Sequence, residues 1–181
     1  NKVSGTLGAV TGADLYFFDI PDVTLRTGSG RDQITVGAGG LNAFGLQNFT
    51  IETQGGDDEL ALLTDQLKPT AVGTFVPSAD LGNAANGATL PAGVRYIEIT
   101  GEFSFDGGAG LNTLSADFDT NWTLNTTSLT AGNGEQVFFD NVQQAALTGG
   151  ASINRIEVQE WDGSVTLDGG ANSDQFHIAL A

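Results

Sequence analysis

A glycine-rich turn recurs along the chain, and no other feature limits the fold as strongly. Three copies are Thr27-Gly28-Ser29-Gly30-Arg31-Asp32-Gln33-Ile34, Thr53-Gln54-Gly55-Gly56-Asp57-Asp58-Glu59-Leu60 and Gly107-Gly108-Ala109-Gly110-Leu111-Asn112-Thr113-Leu114. Two more are Gly149-Gly150-Ala151-Ser152-Ile153-Asn154-Arg155-Ile156 and Gly169-Gly170-Ala171-Asn172-Ser173-Asp174-Gln175-Phe176. Self-similarity at a few tens of residues marks supersecondary units that bury their apolar faces only by stacking on one another. The sixth turn position falls at Asp32, Asp58, Asn112, Asn154 and Asp174, separated by 26, 54, 42 and 20 residues. A looser copy, Thr11-Gly12-Ala13-Asp14-Leu15, lies 18 residues before the first. The 42 and 54 read as doubled units, the former split by a degenerate turn at Ala131-Gly132-Asn133-Gly134 and the latter carrying an insertion around Gly82 to Gly93. A unit of about 18–27 residues is the length of one coil of a parallel β-solenoid.

Apolar runs of period two flank each turn: Val23-Thr24-Leu25, Phe49-Thr50-Ile51 and Phe103-Ser104-Phe105 before, Ile34-Thr35-Val36, Leu60-Ala61-Leu62 and Ile156-Glu157-Val158 after. That is the strand signature, and no segment shows a capped apolar stripe of helical period. Asn/Asp corners such as Asp19-Ile20-Pro21-Asp22 and Phe139-Asp140-Asn141-Val142 precede several turns. The expected fold is all-β: a parallel β-helix of about seven to nine coils, two strands to a coil, repeating every ~4.8 Å. Thr64 to Pro91 breaks the pattern, because Pro69, Pro77 and Pro91 cannot continue a central ladder. Residues 1–181 read as a single domain, with 64–93 a loop insertion leaving the stack. Both ends break off inside the pattern and there is no initiator Met, so the chain is expected to be a segment of something longer.

Charge narrows the partners. Twenty-two acids face 6 bases, a net charge of −16, which disfavours nucleic acid and anionic membrane surfaces and favours divalent cations. With no Cys and one His, zinc sites built from those residues are excluded. No apolar run approaches the roughly 20 residues that cross a bilayer, so no membrane insertion is expected.

The turn resembles the Gly-Gly-x-Gly-x-Asp-x-apolar-x nonapeptide of calcium-binding toxin (RTX-type) repeats; Gly107 to Leu114 matches with Asn in place of Asp. The resemblance implies calcium held between stacked corners by carboxylates and carbonyls, an oxygen-rich setting that suits a hard cation. Carried to this chain, it places Asp32, Asp58, Asn112, Asn154 and Asp174 in a ladder down one edge, with calcium between Asp32 and Asp58. The alternative is that these residues form corners, since Asn and Asp accept turn hydrogen bonds equally well. The longer unit looks like the coils of large bacterial surface and secreted adhesin-like proteins, which implies an extracellular or cell-surface location.

The expected function is therefore a structural or adhesive segment of an extracellular bacterial surface protein or filament. Self-association would proceed by end-to-end coil stacking or lateral packing, with the coil ending at Ala181 meeting the coil near Val3 to Val10 of the next chain. The competing expectation is a glycan-binding or polysaccharide-cleaving module. Its candidates are the pairs Asp117 with Asp119 and Asp57 with Asp58, beside Arg31, Arg95 or Arg155, and a sugar-stacking surface of Trp122, Trp161, Tyr16 and Tyr96. His177, flanked by Phe176 and Ile178, is expected to face solvent, with no role assigned. Asn48, Asn121 and Asn125 open glycosylation sequons.

Overall fold

The computed structural model describes residues 21–41, 46–74 and 96–179, together with 2–3, 6–7, 10–11 and 15–16. The early turn around Gly12 to Asp14, the insertion from Gly82 to Gly93, Arg95 and Ala181 lie outside the described residues, as do the side chains of Tyr16 and Tyr96. The described residues contain strands and turns and no helix.

Strands β1 (Lys2–Val3), β2 (Thr6–Leu7), β3 (Val10–Thr11) and β4 (Leu15–Tyr16) form two antiparallel pairs, β1 with β4 and β2 with β3. The region expected to hold a parallel coil near Val3 to Val10 is thus antiparallel where it is described. From residue 22 the chain alternates between two sheets. β5 (Asp22–Arg26) lies in sheet 1, β6 (Gln33–Val36) in sheet 2, β7 (Asn48–Glu52) in sheet 1 and β8 (Glu59–Leu62) in sheet 2. β9 (Thr70–Thr74) and β10 (Tyr96–Thr100) then pair with each other, antiparallel, as a separate ribbon.

The alternation resumes with β11 (Glu102–Asp106) in sheet 1 and β12 (Thr113–Asp117) in sheet 2. β13 (Trp122–Leu124), β14 (Ser128–Ala131) and β15 (Gln136–Asp140) all join sheet 1 as an antiparallel meander. β16 (Gln144–Gly150) and β18 (Ser164–Gly170) return to sheet 2, while β17 (Arg155–Gln159) and β19 (Gln175–Ala179) return to sheet 1. Sheet 1 has the order β5-β7-β11-β15-β14-β13-β17-β19, parallel throughout except that β14 runs against both neighbours. Sheet 2 is β6-β8-β12-β16-β18, wholly parallel.

The period-two pattern explains the core. Phe49, Ile51, Phe103 and Phe105 of sheet 1 and Leu60, Leu62, Leu114 and Leu147 of sheet 2 are buried in one cluster, while the residues between them face outward. Register stacks like on like: Val23 pairs with Phe49 and Phe49 with Phe103, whose rings lie 5.7 Å apart. Fully burying one such side chain is worth about 1.5–3 kcal/mol, so the inward columns supply most of the drive to fold.

Strand adjacency revises the unit count. β8 is the direct neighbour of β12, so the 54-residue interval is one step enlarged by the β9–β10 excursion, not two units. Ala131 to Gly134 joins two antiparallel strands, β14 and β15, and splits nothing. The stretch from Thr64 is only partly an excursion: Thr64 and Leu67 are buried, Leu67 within the main core.

Candidate functional site

The sheets run so that the turns lie at two edges. Connections from sheet 1 to sheet 2 lie at one edge and those from sheet 2 to sheet 1 at the other. The Gly-Asx turns at 27–32, 53–58 and 107–112 follow β5, β7 and β11 and occupy the first edge. Those at 149–154 and 169–174 follow β16 and β18 and occupy the second. The five sixth-position residues therefore form two rows and not the single ladder expected from sequence.

In the first row each Asx oxygen receives the main-chain N–H of the preceding Asx. Asp32 N–H donates to Asp58 Oδ1 at 2.8 Å, and Asp58 N–H to Asn112 Oδ1 at 3.0 Å. The row ends on Gln143, whose Oε1 accepts Asn112 N–H at 2.9 Å. Main-chain bonds run alongside, from Glu59 N–H to Asp32 O and from Thr113 N–H to Asp58 O. In the second row Asn154 N–H donates to Asp174 Oδ1 at 2.8 Å. There Asp119 and Asn121, from the short β12–β13 connection, take the place of a further turn: Asp119 accepts from Ser152 N–H and Oγ–H, both at 3.0 Å, and Asn121 accepts Arg155 N–H at 2.7 Å.

The Asp119 carboxyl is held away from its ordinary range. It lies lower, foremost because the Ser152 main-chain N–H donates to it; desolvation opposes this, and the Ser152 hydroxyl, Asn154 and the Ala151 N–H add to the lowering. These donors bond the charged form, which is what lowers a carboxyl.

Glycine at the turn's first position makes room for the Asx. A Cβ on Gly107 would lie 2.6 Å from Asn112 Nδ2, and one on Gly149 2.6 Å from Asn154 Oδ1. The fourth position is tighter: Gly110 has φ +133°, and a Cβ there would collide with the carbonyl oxygen of Gly56 in the neighbouring turn. The first two turns carry Thr27 and Thr53 instead, and the Thr53 hydroxyl donates to Asp106 O at 3.1 Å.

Unpartnered buried oxygens occur in both rows, Asn154 Oδ1 in the second and three in the first. Asp32 Oδ2, Asp58 Oδ2 and Thr27 Oγ1 are buried with no hydrogen-bond partner, and Asp58 is 1% exposed. No group of three or more His, Cys, Asp or Glu side chains converges among the described residues.

The catalytic candidates separate. Asp57 Oδ1 accepts Leu111 N–H while Asp58 turns inward to Asp32, so this pair serves two different bonds. Asp119 is engaged by the 151–154 turn and Asp117 is exposed at the end of β12. Arg155 pairs with Glu157 on its own strand. Trp122 and Trp161 are 0% and 3% exposed, with indole N–H bonds to Thr148 O and Ser164 O, and so are core residues instead of a sugar platform. Each sequon asparagine is already bonded: Asn48 to Asp22, Asn121 to Arg155 and Asn125 to the N–H groups of Thr127 and Ser128. Sequence reasoning passed over a shallow groove of about 420 Å³ on the outer face of sheet 1, lined by Asp22, Thr24, Asn48, Thr50, Glu102 and Ser104. Its only sequence signal is the alternation of polar with core residues.

Fold and turns together define an all-β chain of two mostly parallel sheets edged by rows of bonded Asx turns. Comparison with protein-family models, with curated proteins and with solved structures finds no match to it.

Proposed function

We propose that the chain is a section of a parallel β-solenoid serving as a non-enzymatic structural or adhesive segment of an extracellular surface protein or filament. One observation carries this reading: before and after the β13–β15 meander, strands alternate between two mostly parallel sheets, and stacked turns bond one another at equivalent positions. In such a stack every unit is hydrogen-bonded above and below, so load is shared along the ladder. Stability is then a sum of unit and interface terms, and units leave one at a time. Pulling on the chain ends in an atomic-force instrument should give stepwise extension, with a 26-residue unit releasing about 90 Å. A single all-or-none rupture of the whole chain would sink the reading.

Calcium at the Asp32–Asp58 step is a second reading, supported by the unpartnered oxygens of Asp32, Asp58 and Thr27. A hard cation suits three such oxygens, and burying them unbonded is costly. Titrating calcium into chelator-treated protein should release heat and raise the melting temperature, with both effects lost in Asp58→Asn; no heat from the unaltered chain would end it. The groove of hydroxyls between Asp22 and Glu102 supports glycan binding as the competing function, for which retention on a polysaccharide array is the test.

A further inference from the structure

The two sheets do not keep step. Between β15 and β17 sheet 1 holds two further strands, β14 and β13, whereas in sheet 2 the strands that follow them, β16 and β18, are direct neighbours. With strands about 4.8 Å apart, β15 and β17 stand about 14 Å from each other while β16 and β18 are one spacing apart. The β15–β16 and β17–β18 corners therefore converge on sheet 2 and part toward sheet 1. On the sheet 2 side they are stitched together, Ser164 N–H donating to Gln143 O at 2.9 Å. Inside the parting Trp161 packs edge-on against Phe139, ring centres 5.8 Å apart, and the tip of the β13–β14 hairpin brings Thr126 into the gap.

What remains is an open cleft of about 590 Å³ at the first edge, larger than the groove on the face of sheet 1. Its lining comes from residues 111 to 164, well inside the chain. Leu111, 49% exposed, and Val142 supply an apolar part. Asp140 and Asp162 belong to the two opposite corners, and both are exposed. Asp140 Oδ1 accepts the Asn141 N–H at 2.8 Å, but among the described residues its Oδ2 and both Asp162 oxygens carry no hydrogen bond. Thr126 and Ser164 add hydroxyls. Each corner is set by a non-glycine residue with left-handed backbone, Asn141 at φ 56° and Glu160 at φ 53°, a conformation that persists where the surroundings hold it.

We propose that this cleft is a docking site for an arginine side chain of a partner protein. Arginine offers an apolar stem for Leu111 and Val142, and a planar head with five donors for two carboxylates and their neighbouring hydroxyls. The chain itself has few cations to place there, 6 Lys and Arg against 22 acids, and Arg26 and Arg155 are paired with Glu52 and Glu157. The summed field of a −16 chain therefore draws the cation from a partner. A purely apolar occupant would strip water from the two carboxylates without bonding them, which is costly. The site supplies a partner chemistry for the adhesive part of the function proposed above and rests on that part.

Titrating the isotope-labelled chain with a capped glycyl-arginyl-glycine peptide, followed by nuclear magnetic resonance, is the test. It belongs at 0.15 M salt, where charges beyond about 8 Å are largely screened. Amide shifts should gather at residues 111, 126, 140–143 and 162–164. The same peptide with citrulline, the neutral isostere of arginine, should bind at least about fivefold more weakly, and Asp162→Asn should weaken the arginine peptide about two- to fivefold, as loss of an exposed ion pair does. Leu111→Ala should weaken it about twofold or more with an unchanged circular dichroism spectrum, an effect that attraction by charge alone does not produce. Shifts spread equally over Glu52, Asp57 and Asp106, or equal binding of the citrulline peptide, would overturn the proposal. So would the absence of shifts at any soluble concentration, or maltohexaose moving these amides where the arginine peptide does not, which would favour a glycan site. The stepwise extension test judges the solenoid reading separately, because an empty cleft leaves that outcome unchanged.

Discussion

Asn112 is the residue where the turn's chemistry is clearest. Its Oδ1 accepts the Asp58 N–H while its Nδ2 donates to Asn141 O at 2.8 Å, so a wholly buried side chain closes bonds to two neighbouring turns. An aspartate could keep the first bond but would set a carboxylate against the Asn141 carbonyl. Sequence comparison with acidic nonapeptides makes Asn112 look like a weakened ligand, whereas the bonding makes it the required donor. Asn112→Ala should destabilise by about 1–3 kcal/mol for each buried group left unbonded, and Asn112→Asp should destabilise too although the shape is kept. Chemical denaturation of the three proteins checks the order. Glycines of one motif should also divide: Gly28→Ala, with open space at its Cβ, is expected to be neutral or stabilising by about 0.4–1 kcal/mol. Gly110→Ala should cost at least about 1–2 kcal/mol for its left-handed backbone alone, before the collision with Gly56 O.

At the scale of strands and turns, the glycine turn changes edge between Asn112 and Asn154. The meander β13–β14–β15 lies across this change. Before it the glycine turn closes the first edge; after it that edge has only the short corners Asn141-Val142-Gln143 and Glu160 to Gly163, and the glycine turn closes the second. The strands themselves were legible, because Phe103-Ser104-Phe105 and Leu114-Ser115-Ala116 alternate cleanly between core and surface. The edge was not, since a Gly-Gly-x-x-x-Asx turn has the same local chemistry whichever sheet it leaves. Asp119 is a related case: Asp117 two residues away suggests an acid pair, whereas the bonds of Asp119 go to Ser152, 33 residues away. Those bonds predict a pH effect. The Asp119 carboxyl lies below its ordinary value when folded, so its contribution is fully present above the unfolded-state pKa of about 3.9 and is lost as pH falls through the lower folded value. Asp119→Asn should melt lower than the unaltered chain at neutral pH, and the two melting curves should converge as pH drops below about 3.9. A constant offset down to strong acid would contradict this account.

Across the whole molecule, the core was predictable and the excursion was not. Prolines at 69, 77 and 91 suggest a loop from residue 64, yet Leu67 lies in the main core and Thr70–Thr74 pairs as a strand with Tyr96–Thr100, while Pro77 and Pro91 lie outside the described residues. Proline spacing reports only where a central ladder is barred and is silent about ribbons formed outside it. Charge acts on this same whole-molecule scale. Parallel register stacks Glu52 on Asp106 and Asp106 on Asp140, three acids in adjacent strands, with Arg26 beside Glu52 as the cation at the end of the column. Like charges set opposite one another in a sheet oppose its formation, and here they add to a net charge of −16. The folded stack holds these acids closer together than an unfolded chain does, so screening should favour the fold. Between 0.01 and 0.15 M sodium chloride the Debye length falls from about 30 to about 8 Å. The melting temperature should therefore rise over that range, by about 2–4 °C for each kcal/mol of repulsion relieved in a chain of this size. Asp106→Asn should flatten the salt dependence while raising the melting temperature at low salt, because its Oδ1 still accepts from Gly108 N–H and Asn141 Nδ2. If sodium chloride has no effect but millimolar calcium does, the acids matter as ligands and not as a stacked column of like charge.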